Sequence, residues 1–302
     1  MRAVRAFVAI GAMLIIASPA AAQGRHSDPE GTVVADVVVV APTEGPVWWK
    51  VTHGESTVWI IGLPDSSSSV PHNLNWDKRA FERRIKGANA FLATPDGVVR
   101  FPRDWSERLP VDLRARVGIT AAVVRLDPDN YWPPVFGSVV NLRSDFRRKN
   151  RFTLDVQKQM ADMARRARTP VSAPPELAVF LEEADLRLGK PGVMACVLAM
   201  LDEVETDPAV FRTAAEDWAQ GRAMAHLRSP RGALPVCLNL VRPGYSAQQI
   251  EERTKAIATA LASPGKTVAA APIRQLVAED GIIQRLKAQG LDVSDPSKPL
   301  DE

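Results

Sequence analysis

Two runs of β-branched and aromatic residues stand close together before the middle of the chain, at residues 46–51 and 57–62. Such runs are typical of strands, and the short polar segment at residues 53–56 between them predicts a β-hairpin. The tryptophans of the two runs, Trp48, Trp49 and Trp59, are interpreted as core residues because a large aromatic side chain gains most by burial. The pattern therefore predicts a hairpin at the N-terminal edge of the fold.

The next segment predicts a strand–helix–strand unit. Four consecutive serines at residues 66–69 indicate a solvated loop, and a helix is expected over residues 76–86 with Asn75 as its cap. Gly87 ends that helix, and the apolar residues 90–93 predict a further strand. A crossover of this kind indicates a parallel or mixed sheet.

The remaining pattern is helical in the middle and alternates near the end. Residues 102–168 and 175–227 read mainly as helices, and Ser246 opens a capping box for a helix to residue 261. A strand at 267–271, a helix at 280–289 and a last strand at 291–293 follow. The predicted fold class is α/β, with a central mixed β-sheet flanked by helices, an N-terminal β-hairpin and a largely helical middle region.

The first residues have the pattern of a secretory signal peptide. Arg2 and Arg5 precede an apolar stretch too short to span a bilayer, and small residues up to Ala22 provide a cleavage site. The sequence thus predicts a signal peptide at 1–22, a flexible leader at 23–45, one domain at 46–295 and a disordered tail at 296–302. The expected location is periplasmic or secreted, with no transmembrane segment after cleavage.

Charge and cysteine content narrow the function further. Without Arg2 and Arg5 the basic residues fall from 38 to 36 against 35 acidic ones, a net charge of +1 that gives no electrostatic basis for nucleic-acid binding. In an oxidising compartment the two cysteines, Cys196 and Cys237, are expected to form a disulfide. Neither has a second cysteine or histidine at metal-ligand spacing.

Several motifs resemble those of the TraB/GumN family, whose relatives include the Tiki-like metalloproteases. They are the hairpin whose second strand closes on Gly62, the Trp-x-x-Gly segment formed by Trp218 and Gly221, and Arg253 in the last long helix. The resemblance extends over residues 46–293. It implies a site at the ends of the strands that holds a metal ion for hydrolysis.

The resemblance fails at the positions that would carry this chemistry. The family's first Gly-x-x-His ends here in Asp65, its glutamate is replaced by Thr94, and its second Gly-x-x-His ends in Gln275 after Pro272. Threonine and glutamine are poor replacements for a carboxylate and an imidazole, and Arg274 beside the last position would disfavour a cation if it pointed inward. We therefore expect a degenerate metal site without a cofactor.

Three hypotheses for function remain. The first is an exported, non-catalytic protein that binds an unknown small-molecule or peptide ligand or serves as a scaffold. The second is an active peptidase-like hydrolase with a remodelled Zn²⁺ or Mn²⁺ site, for which Asp65 and His72 are weak candidate ligands. The third is an envelope-interaction protein that adds residues 37–40 to a partner's sheet.

Overall fold

The computed structural model describes Gly31 and residues 45–64, 74–94, 98–102, 104–130, 156–173, 178–180 and 190–294. The strands are β1 Trp48–His53, β2 Ser56–Leu63, β3 Ala90–Leu92, β4 Val98–Arg100, β5 Val171–Ser172, β6 Ala178–Phe180, β7 Gly265–Pro272 and β8 Asp292–Val293. The helices are α1 Lys78–Ile85, α2 Val111–Val124, α3 Val156–Arg166, α4 Pro191–Glu205, α5 Pro208–Ala219, α6 Ala223–Arg228, α7 Ala233–Val241, α8 Tyr245–Leu261, α9 Ile273–Val277 and α10 Ile282–Ala288.

Six strands form a mixed sheet in the order β5-β3-β7-β2-β1-β8. Strands β5, β3, β7 and β2 run parallel to one another, whereas β1 is antiparallel to both β2 and β8. The predicted α/β fold with a mixed sheet and an N-terminal hairpin is confirmed. The strand–helix–strand unit is present, but β7 lies between its two strands and pairs with both.

The hairpin pairs all six residues of β1 with β2. His53 pairs with Ser56, and Gly54 takes a φ of 56° in the two-residue turn, a backbone conformation that glycine adopts without strain. Side chains alternate between the faces, so that Trp48 and Trp59 join one apolar cluster and Trp49 joins the cluster on the other side. All three are buried core residues, as predicted.

A separate apolar cluster lies outside the sheet, and we call it the helical lobe. It is built by α2, α4 and α7 with the segment around Trp105. Cys196 of α4 and Cys237 of α7 are fully buried within it and form the predicted disulfide, with an S–S distance of 2.09 Å. The disulfide joins α4 to α7 inside this cluster.

Two predicted helix caps are wrong. Asp77 rather than Asn75 caps α1, because its Oδ1 accepts a hydrogen bond from the backbone N–H of Ala80 at 3.0 Å. Helix α8 begins at Tyr245 after Gly244, whose φ is 83°, so that Ser246 already lies inside the helix. Tyr245, the first residue of the helix, is buried in the helical lobe.

Residues 178–180, which the sequence pattern predicts as helical, form strand β6 instead. They pair in parallel with β4 in a second, two-stranded sheet. Strands of three residues are too short to show a period of two. Among the described helices, none is both long enough and apolar enough to cross a bilayer.

Candidate functional site

The carboxyl ends of three parallel strands meet at one edge of the main sheet. Leu63 at the end of β2 pairs with Pro272 at the end of β7, and Leu92 at the end of β3 pairs with Ala269. Loops that leave such an edge converge above the sheet, which is where α/β proteins place their sites. We call this the carboxyl edge.

Gly62 lies inside β2, which continues to Leu63 rather than ending at the glycine. A Cβ at this position would stand 3.2 Å from Cζ3 of Trp49 and 3.3 Å from Cγ1 of Ile273, so the close packing of α9 on the sheet favours glycine. Its carbonyl oxygen accepts a hydrogen bond from Nε1 of Trp218 at 2.6 Å. The glycine and the tryptophan of the two motifs are therefore in direct contact.

The spacing between Trp218 and Gly221 follows from a helix end. Helix α5 ends at Ala219, and Gly221 has a φ of 72° while its N–H donates to the carbonyl of Trp218 at 3.1 Å. A glycine in this left-handed conformation is the common way to leave a helix. The chain turns away there, and Trp218 stays in the last turn, where its indole reaches β2.

Arg253 and Gln275 form a buried polar pair at the carboxyl edge. Nη1 of Arg253, on α8, donates to Oε1 of Gln275, on α9, at 2.8 Å, and Nη2 donates to Oε1 of Gln249 at 3.1 Å. All three side chains are at least nine-tenths buried. Gln275, the position at which the sequence resemblance predicts the second family histidine, is thus tied to an arginine.

Thr94 follows β3 at the same edge, and its backbone is held by one side chain. Oε1 of Gln157, on α3, accepts from the N–H of Thr94 at 3.0 Å, and Nε2 of Gln157 donates to the carbonyl of Thr94 at 2.8 Å. The side-chain amide of Gln157 thus pairs with the backbone of Thr94 as a neighbouring strand would. Thr94 follows β3 and Gln275 follows β7, and these two strands are neighbours in the sheet.

Arg274 has a role that the sequence did not suggest. Its Nη2 donates to the carbonyls of Leu227 at 2.6 Å and Ser229 at 3.1 Å, at the carboxyl end of α6. A cation there satisfies the last carbonyls of the helix and opposes the negative end of its dipole. The buried guanidinium is a helix cap, and only the folded chain brings its acceptors close.

The remaining candidate residues lie outside the described part of the chain. They are Asp65, His72, the serines at 66–69 and residues 37–40. Within the described part of the chain, no three histidine, cysteine, aspartate or glutamate residues lie close enough together to hold a metal ion. His226 is buried, and its Nδ1 is 2.8 Å from the carbonyl oxygen of Ala214.

A cavity of about 890 Å³ lies next to the N-terminal end of α1. It is bounded by the start of α1, the end of α5 and the approach to the hairpin, with the lining residues Gly45, Asn75, Trp76, Asp77, Lys78, Arg79, Ala219, Gln220 and Arg222. Trp76 packs against Trp218 with ring centroids 6.0 Å apart, which connects the cavity wall to Gly62. Sequence reasoning missed this cavity, although a helix that starts after β2 was a usable signal.

The charges around the cavity are mixed. Asp77 serves as the cap of α1, while Lys78 and Arg79 follow it and Arg222 stands on the opposite side. Arg222 is paired with Asp217, with its Nη2 2.6 Å from Oδ1. The lining therefore combines one indole with mostly polar and charged groups.

A comparison with protein-family models assigns the chain to a family. The model of the TraB/PrgY/gumN family matches residues 47–295. The chain belongs to the TraB/PrgY/gumN family. The matched region contains both the carboxyl edge and the helical lobe, and the resemblance inferred from Gly62, Trp218 and Arg253 is confirmed at the level of the family. No match was found among curated proteins, and none among solved structures.

Proposed function

We propose that this TraB/PrgY/gumN-family chain is an exported protein without metal-dependent catalysis, which binds a ligand or serves as a scaffold. Its family metal site is degenerate in this proposal. The observation that carries it is the buried Gln275 side chain, which stands where the resemblance expects a histidine and whose Oε1 already accepts a hydrogen bond from Arg253. The other replaced positions and the cavity support the same conclusion.

The Arg253–Gln275 contact engages the one atom of Gln275 that could bind a metal ion. The amide oxygen is the atom of glutamine that a hard cation would bind, and here it accepts a hydrogen bond from the guanidinium at 2.8 Å. An arginine keeps its charge at every relevant pH.

The second position at the edge adds no metal ligand of comparable strength. Thr94 has a neutral hydroxyl where the family has a carboxylate, so the negative charge that attracts a divalent ion is missing there. Its backbone is engaged by Gln157. Asp65 is then the one carboxylate among the three replaced positions, and a single carboxylate holds a metal poorly.

The cavity next to α1 supports a binding role. Its volume of about 890 Å³ falls in the range of small-molecule sites, about 300 to 1,000 Å³. The lining offers the indole of Trp76 and the polar side chains of Asn75 and Gln220. A small molecule or a short peptide of mixed polarity fits such a surface.

Metal content tests the central part of the proposal. The chain is purified from buffer supplemented with Zn²⁺ or Mn²⁺, desalted, and measured by elemental analysis together with an Asp65→Ala variant. We expect far less than one ion per chain in both proteins. One ion per chain in the wild type that is lost in Asp65→Ala would overturn the proposal and favour a hydrolase with a remodelled site.

Ligand binding is tested separately at the cavity. Amino acids and di- and tripeptides are screened for a rise in the unfolding midpoint, since a ligand that binds only the folded state stabilises it. Gln220 is exposed and lines the cavity, so Gln220→Trp should narrow it and abolish the rise, while Gln220→Asn should keep it. A rise that survives Gln220→Trp would place the ligand elsewhere.

Export is tested by identifying the first residue of the protein recovered from the cell envelope. The signal-peptide pattern predicts a mature chain that begins at Gln23. Mass spectrometry of the protein recovered from the periplasmic or secreted fraction measures this directly. Recovery of a chain that still begins at Met1 from the cytoplasmic fraction would contradict the export proposal.

A further inference from the structure

Gln249, on the buried side of α8, has an amide nitrogen that the fold does not use. Its Oε1 accepts from Nη2 of Arg253 at 3.1 Å, whereas its Nε2 has no hydrogen-bond acceptor among the described residues. Gln249 is only 3% exposed. Folded proteins satisfy most buried donors with protein groups, water or ions, because an unsatisfied one costs free energy. Nε2 of Gln249 is therefore a donor that a bound molecule can satisfy.

The amide of Gln249 lies over the first turn of α8. Side chains of a helix lean toward its N-terminus, and Gln249 follows Tyr245, the first helical residue, by about one turn. Arg253 stands one turn further along the helix, and Oε1 of Gln249 faces its guanidinium. Nε2 therefore faces the other way, toward the helix end at which the first backbone N–H groups lie.

The amino end of α8 favours negative charge. The helix has 17 residues, its first turn contains no acidic residue, and no side chain caps it. The dipole of such a helix places partial positive charge at this end. Arg242 adds a full charge nearby, since its Nη2 donates to Oε1 of Gln248 at 3.0 Å. The next acidic residues, Glu251 and Glu252, are exposed, whereas Gln249 is buried. An acceptor that carries a negative charge is therefore favoured at Gln249.

This end of α8 lies where the helical lobe meets the carboxyl edge. Tyr245 is buried in the lobe, and Arg253 donates to Gln275 at the carboxyl edge. Gln249 stands between Tyr245 and Arg253 on the same face of α8, because residues four apart share a helix face. Among the residues that line the cavity next to α1, none belongs to α8. The two places are therefore separate candidates for binding.

We propose that Gln249 and the amino end of α8 bind the carboxylate of a small molecule or of a peptide C-terminus. A carboxylate only accepts hydrogen bonds and carries one charge, which suits a buried amide donor beside the N–H groups of a helix end. A phosphate group has more oxygens and more charge, and it needs more donors than this end offers. The proposal does not depend on whether the cavity next to α1 binds a ligand.

Two matched probes test the chemistry of the site. N-acetylalanine and N-acetylalaninamide differ in the carboxylate alone, and each is titrated into the mature chain at constant ionic strength set with sodium chloride. We expect the acid to raise the unfolding midpoint and the amide to leave it unchanged, since a ligand of the folded state stabilises it. Sodium acetate separates the two sources of the group. An effect equal to that of N-acetylalanine assigns any small carboxylate, and a smaller effect assigns a peptide terminus.

Gln249→Glu tests the position, because it supplies a carboxylate of the protein's own. The variant keeps an acceptor for Arg253, so it should be at least as stable as the wild type, and like charge should weaken N-acetylalanine binding by about tenfold or more. Gln248→Glu is the matched control. It adds the same charge one residue earlier, keeps an acceptor for Arg242, and should bind N-acetylalanine like the wild type. Far-UV circular dichroism confirms that both variants are folded.

Four results would overturn the proposal. The first is no response to either carboxylate probe, which would mean that water alone satisfies Nε2 of Gln249. The second is an equal response to the acid and the amide. The third is a response that persists in Gln249→Glu or is lost in Gln220→Trp, which would place the probe elsewhere or in the cavity. The fourth is a loss of stability in Gln249→Glu, because the position would then reject negative charge.

Discussion

The helical lobe and the carboxyl edge are both buried, but different interactions stabilise them. In the lobe, apolar side chains from α2, α4 and α7 pack around the Cys196–Cys237 disulfide. At the carboxyl edge, polar side chains reach specific acceptors, as Trp218 does with the carbonyl of Gly62 and Arg253 with Gln275. Polar side chains that would suggest a catalytic site in the sequence hold the strand ends in place here through hydrogen bonds.

The difference has an energetic consequence. Apolar packing tolerates changes that conserve volume, whereas a buried hydrogen bond loses much more when one partner is removed and the other stays behind. Substitutions that keep size but remove one polar atom should therefore affect the carboxyl edge more than the lobe. The four predictions below concern the lobe, the carboxyl edge and the start of α1, in order of decreasing effect.

Removing the disulfide should have the largest effect, and it should act on the lobe. The loop it closes spans a sequence separation of 41 residues, for which chain entropy gives about 4 kcal/mol of stabilisation. Urea unfolding of Cys196→Ala/Cys237→Ala should show a loss of that order, and wild type unfolded under reducing conditions is the control. A loss below about 1 kcal/mol would mean that apolar packing alone holds the lobe.

Breaking the Arg253–Gln275 pair should cost about 2 kcal/mol, because hydrogen bonds to charged groups contribute about 1.5 to 3 kcal/mol. The measurement is a double-mutant cycle on the free energy of unfolding with Arg253→Met, Gln275→Leu and the double variant. A coupling energy near zero would show that the two side chains are neighbours without being partners.

Trp218→Phe should cost about 1.5 kcal/mol, since the buried carbonyl of Gly62 loses its side-chain donor. Trp105→Phe is the matched change in the lobe, where Nε1 donates to the carbonyl of Pro128 at 3.2 Å in a partly buried position. Unfolding free energies should rank Trp218→Phe as the more damaging variant. The reverse order would contradict the contrast between the two regions.

Asp77→Ala should cost about 1 kcal/mol by removing the cap of α1. Asn75→Ala is the control, and thermal or urea unfolding should leave it close to the wild type. If Asn75→Ala is instead the more destabilising change, the helix starts where the sequence pattern predicts and not where Asp77 accepts from Ala80.

The sequence predicts those parts of the fold that depend on local pattern. The hairpin, the α/β class and the disulfide follow from alternation, turn residues and compartment, and all three are confirmed. The helix caps are harder to predict, because several polar residues near a helix start can each serve as the cap. Tertiary packing decides between them. At the start of α8, the buried Tyr245 and not the polar Ser246 is the first helical residue.

The contacts of the candidate site could not be predicted in the same way. Arg274 caps α6 through carbonyls more than 40 residues away, and Trp218 reaches Gly62 across a separation of 156 residues. Local pattern contains no information about such partners. The family resemblance located the motifs, and the folded chain supplied the reason for two of them, the packing at Gly62 and the helix end at Gly221.

The central claim is that the carboxyl edge holds its shape by its own hydrogen bonds and not by a metal ion. The unfolding midpoint of the wild type, measured in chelator and again in excess Zn²⁺ or Mn²⁺, tests this most directly. A metal present at about 100 times its dissociation constant would stabilise the folded state by about 2.7 kcal/mol. We predict no change in the midpoint. A rise of that size that disappears in Asp65→Ala would contradict the account.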